Sequence, residues 1–185
     1  MPDSQEFDVS DVQAFADEAN AFIKQLVGES DRGAALVGIA YLDDLLAGLF
    51  RAHMLTKKVS EGLLEGFAPL STFSSRIDVA YCLGWIGPET YRDLHLLRKV
   101  RNEFAHAHEP VTFSSAKVQA RCRELQVPRV LSHRVRSRDQ FHFTAVMLAL
   151  RLEFYRRGSK TPTPGWDPPV EQFVPPIPQN SRAPG

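Results

Sequence analysis

Cysteine is scarce: Cys82 and Cys122 are the only two in 185 residues. Two thiols cannot build a disulfide framework, and these fall in separate helical segments, so both read as reduced thiols of a cytoplasmic protein. Glycine-rich phosphate loops, HExxH, paired-cysteine metal spacings and GxSxG are all missing, which removes the common nucleotide-binding and hydrolase classes. Five of the six histidines (His95, His106, His108, His133 and His142) lack metal-ligand spacing, so neither a metal nor a cofactor is expected. A long apolar run is also absent. The stretches around 34–50 and 141–150 are interrupted or closed by Asp43, Asp44, His142 and Arg151, which argues against a membrane span. No basic segment leading into an apolar run opens the chain, so no signal peptide is expected.

What is present is an ordinary soluble composition, 43% hydrophobic and 24% charged, long enough for one domain with a core that needs no staple. Net charge is zero but unevenly spread. Residues 1–50 carry a balance of about −8, and residues 117–160 about +8. Either the two halves pack together, within one chain or between two copies, or the basic half offers a phosphate-binding surface. Arg129, Arg134, Arg136 and Arg138 are the candidates for that surface. Residues 129–138 contain no aromatic ring for base stacking, which counts against single-strand recognition there.

Periodicity predicts helices throughout and no strands. Ser10 is placed to cap a first helix, whose apolar stripe Val12, Phe15, Ala19, Phe22, Ile23 and Leu26 ends at Gly28. Ser30 and Asp31 open a second helix to about Met54, apolar on two stripes and therefore central. A short segment near 60–67 leads to Pro69. Ser71 or Thr72 then caps a helix through Arg76 that ends before Gly87-Pro88. Pro88 starts the next helix and Glu109-Pro110 ends it. Thr112 or Ser114 caps a helix to Leu125. A final apolar helix, 137–157, stops at Gly158. The expectation is an all-α single-domain bundle of six or seven helices over residues 1–158. A Pro-rich tail, 159–185, holds eight of the 13 prolines and is expected to be disordered.

Two polar sets stand out. Asp43 lies within an apolar stripe and Asp44 beside it. A carboxylate so placed needs a cation, and Arg76, Arg98 and Arg101 are the candidate partners. The second set is RNEFAH at the end of the fifth helix, where Arg101, Asn102 and His106 gather a cation, an amide and an imidazole within two turns. Asn102 and His106 are four apart and can touch, whereas Arg101 lies about 140° from His106 around an ideal helix. One use of this set is structural. The other is metal-independent RNA cleavage, with His106 moving the proton, Arg101 stabilising phosphate charge and Asn102 orienting the ring, across a symmetric dimer.

Three ordered blocks, ESDRGAALVGIAYLDDLL (Glu29–Leu46), PLSTFSSRIDVAYCLGWI (Pro69–Ile86) and DLHLLRKVRNEFAH (Asp93–His106), resemble the mannitol-repressor (MtlR) family. The resemblance runs from about Glu29 to Leu152 and implies an all-helical regulator of carbohydrate-uptake operons, without agreed catalytic residues. No helix-turn-helix with a reading helix is visible, so action through a protein partner, as a homodimer, fits better than direct DNA contact. RNEFAH separately resembles the Arg-(4 to 6 residues)-His motif of HEPN-domain ribonucleases, matched by Arg101, Asn102 and His106, with His108 at the longer spacing. That resemblance keeps contact with RNA or DNA, and enzymatic activity, open.

Overall fold

The computed structural model describes residues 9–55, 57–106, 110–127 and 135–157, with side chains from Ala16 onward. His108, His133, Arg129, Arg134 and the Pro-rich tail fall outside the described residues, and Ser10, expected to cap the first helix, lies inside it, one residue past the start at Val9. Among the described residues there are seven helices and no strand: α1 (Val9–Gly28), α2 (Asp31–His53), α3 (Lys57–Leu64), α4 (Phe73–Cys82), α5 (Pro88–His106), α6 (Ala116–Arg123) and α7 (Ser137–Arg157). The all-α class and the helix number match the expectation.

Local chemistry sets most boundaries. The Ser30 hydroxyl accepts the Gly33 N–H at 3.0 Å and Thr72 does the same for Ser75 at 3.1 Å, each satisfying a donor that the first helical turn leaves open. Pro88 occupies the first position of α5, where its missing N–H costs nothing. Two further boundaries differ from the sequence reading. α4 stops at Cys82, five residues before Gly87, because Gly84 takes φ 71. Its N–H reaches Tyr81 O, and Trp85 N–H reaches Ala80 O, a glycine-based closure that satisfies the last carbonyls. α6 is capped at Ser115, not at Thr112 or Ser114, and the Ser115 hydroxyl turns back to accept the Thr112 N–H at 3.1 Å.

α2 and α7 form the largest interface, and α1, α4 and α5 pack around them. Among the largest buried side chains are Leu26, Ile39, Leu42, Leu46, Leu49 and Phe50, with Phe104 and Phe141. Gly38 lets the centre close up, since a Cβ there would sit 3.3 Å from both Leu26 and Phe141. α2 is long and apolar enough to cross a membrane by length and composition, but half of its apolar window is buried in the bundle. The opposed charge of the two halves is used here: Arg138 at the start of α7 bonds Asp31 at 2.9 Å, and Arg157 at its end lies 3.7 Å from Glu18.

Candidate functional site

The end of α5 is fixed by its apolar face. Phe104 is buried and packs on Phe113, ring centroids 5.0 Å apart. This turns the polar residues of RNEFAH outward or sideways. Arg101 is half-buried and donates from Nη1 to Asn102 Oδ1 at 3.1 Å. Asn102 therefore meets its neighbour in sequence through that oxygen. His106 is exposed in the last residue of α5. Arg32 donates to the Ala105 carbonyl at 3.3 Å, a cation placed where the helix leaves its last carbonyls open. Glu103 pairs with Arg121 of α6.

Of the acids on α2, Asp43 is half-buried and its Oδ1 accepts from Arg76 Nη1 at 2.5 Å. Arg76 is buried and also donates to the carbonyls of Leu70 at 2.8 Å and Leu64 at 2.9 Å. One guanidinium thus ties α2 to the chain on either side of the α3–α4 turn. Burial pushes the Asp43 carboxyl up, and the Arg76 bond and the nearby charges of Arg76 and Arg101 offset only part of that. Asp44, one residue on, is turned about 100° around the helix and is exposed, outside this cluster. Arg98 does not join it either. It is half-buried, and its Nε has no hydrogen-bond partner among the described residues.

Of the basic candidates, Arg138 is committed to Asp31 and to the Glu29 carbonyl at 2.5 Å, so it closes the α1–α2 turn on α7. Arg136 has 85% of its side chain exposed and pairs with Asp139 in its own helix turn.

Three arrangements were not visible in the sequence. Arg151, 1% exposed, bonds Glu89 at 2.8 Å and reaches Thr90 at 3.5 Å, joining the middle of α7 to the first turn of α5. Asp93 is buried on α5. Its carboxylate accepts the Gln126 N–H at 2.9 Å and the Val127 N–H at 2.8 Å. Burial pushes this carboxyl up to about 6 against the pull of those two donors. The third is a cleft between α1, α2 and α7, lined by Glu18, Phe22, Tyr41, Asp44, Glu153 and Arg156 among others. Glu153–Arg156 and Glu153–Arg157 have the three- and four-residue spacing that a helix brings together, a signal legible beforehand. The other partners are 62 residues apart or come from separate helices, beyond any local rule.

Two central helices, α2 and α7, pinned by buried arginine–carboxylate contacts to the helices around them, define an all-helical protein of one recognisable architecture. The chain belongs to the mannitol-repressor family, whose model matches residues 37–152. It is 28% identical over 120 residues to the mannitol operon repressors of Escherichia coli K12 and Escherichia coli O6:H1, covering 60% of this chain. The match spans 62% of the length of those relatives. It also superposes on a chain in the X-ray structure of the MtlR–HPr complex from Escherichia coli, with TM-score 0.62 and 19% identity, covering 72% of this chain and 97% of that one. That likeness establishes the shared fold.

Proposed function

We propose that this protein is a cytoplasmic regulator of carbohydrate utilisation that acts by binding a protein partner, and that HPr is the partner to test first. The observation that carries the reading is the family match over most of the described helices, joined to a fold shared with a protein seen in complex with HPr. A repressor role in transcription and assembly as a homodimer belong to the same reading. In support, among the described residues Arg138 and Arg151 of the basic half are engaged internally. Contact with nucleic acid through Arg129, Arg134 or Arg136 is a weaker alternative. The test is calorimetric titration of the full chain with HPr and, separately, with operator DNA. The expected outcome is saturable binding of HPr. Heat from DNA alone would reverse the assignment.

The second reading is metal-independent ribonuclease chemistry at Arg101, Asn102 and His106. It is favoured by the exposure of His106 at a helix end, where a substrate can reach the imidazole. It requires that the purified protein cleave single-stranded RNA in EDTA. His106→Ala would then abolish cleavage with Tm unchanged, because an exposed side chain contributes little to packing. Wild-type protein without cleavage above background removes the reading.

A further inference from the structure

The cleft between α1, α2 and α7 encloses about 470 Å³, within the roughly 300–1,000 Å³ of typical ligand sites. Phe22 and Tyr41, stacked with centroids 4.1 Å apart, line it together with Leu45 and Ala21. Arg156 forms one edge. It donates from Nε to Glu153 at 2.7 Å, and its stem passes over Gly48, where a Cβ would sit 3.3 Å from Arg156 Cδ. α7 ends one residue later, at Arg157, so the chain that follows starts from the rim of the cleft. Residues 158–185 follow, and the segment PPVEQFVPP, residues 168–176, sets Val170, Phe173 and Val174 between two proline pairs.

We propose that residues 168–176 of this same chain dock in the cleft, with Val170 and Phe173 against Tyr41 and Leu45, and so close it to other ligands. Proline fixes φ and favours an extended helix of three residues per turn. In that helix Val170, Phe173 and Pro176 share one edge, while Glu171 and Gln172 lie on the other two. An aromatic-lined groove takes such an edge, and a segment stiffened by proline has little freedom left to lose on docking. The attachment favours the chain's own segment over a separate one. Residues 158–169 form the tether, and at about 3.3 Å per residue they can span roughly 40 Å. A tether of this kind holds the segment at an effective concentration on the order of millimolar, so a contact too weak for a free peptide is populated here. Glu18 and the exposed Asp44 stand at the cleft, and Glu171 avoids them by lying on an edge that faces water. The contact is therefore apolar and insensitive to salt. It does not rest on the partner reading above.

The test is NMR of the full isotope-labelled chain, reading nuclear Overhauser contacts between side chains together with the backbone amides of the cleft. Expected are contacts from the Phe173 ring to the Leu45 methyl groups. In Phe173→Ser these are lost and the amides of Tyr41, Leu45 and Gly48 shift, while Tm stays at the wild-type value because the substitution lies beyond α7. Glu171→Gln and added salt are expected to leave the wild-type contacts in place. Absence of a Phe173–Leu45 contact overturns the proposal, as do cleft amides that Phe173→Ser leaves unmoved. A contact found only between labelled and unlabelled chains in a mixed sample also overturns it, since the occupant is then a second copy. Loss of the contact in salt or in Glu171→Gln overturns the apolar edge on which the docking depends.

Discussion

Asp93 shows what one residue contributes when its side chain is used as backbone glue. The carboxylate sits fully buried on α5 and holds the chain beyond α6 by the N–H groups of Gln126 and Val127. Desolvation outweighs those donors, so the folded protein keeps the proton up to about pH 6, against 3.8 for the ordinary group. Its folded-state pKa is raised, so its contribution to stability is full below about pH 4 and is lost as pH rises through 6. The loss is on the order of 2–3 kcal/mol. Urea unfolding at pH 4.5 and pH 7.5 is therefore expected to show a steeper decline for wild type than for Asp93→Asn, which has no proton to lose. Parallel curves would mean that Asp93 is ionised in the fold at both pH values. Burial also pushes the Cys122 thiol up to about 12, so this cysteine is an inert part of the core.

At the scale of elements, Arg76 is the residue on which three helices depend. It neutralises Asp43 of α2 and satisfies carbonyls of Leu64 and Leu70 on either side of the turn between α3 and α4. Arg76→Ala leaves a half-buried carboxylate and two carbonyls without their donor, a cost of about 3–5 kcal/mol, or a fall in Tm of roughly 10 °C. Asp43→Ala removes one contact and leaves Arg76 on the two carbonyls, so a smaller fall is expected. Equal Tm values for wild type and Arg76→Ala, read by circular dichroism, would show that the network carries no net stability. The helices themselves were legible because caps and apolar spacing are local: Ser30, Thr72 and Pro88 act where the sequence puts them. The need of Asp43 for a cation was legible for the same reason, as a charge on an apolar stripe. The end of α4 was not, because Gly84 signals a stop as weakly as any mid-helix glycine until its positive φ is known. Nor were the cleft and the Arg151–Glu89 pair, which exist only once α1, α2, α5 and α7 are packed.

For the whole molecule, the uneven charge of the sequence is resolved inside the fold. The acidic α1–α2 half and the basic α7 close on one another through Asp31–Arg138 at 2.9 Å and, more loosely, Glu18–Arg157 at 3.7 Å. Among the described residues Arg138 and Arg157 are used in this way, while Arg136 stays 85% exposed and Asp44 is exposed at the cleft. The most direct measurement is calorimetric titration of the full chain with HPr at moderate salt. Saturable binding in the micromolar range, about −8 kcal/mol, that weakens as salt rises is the expected result. No detectable complex with HPr at about millimolar concentration, together with saturable binding of operator DNA, would contradict it.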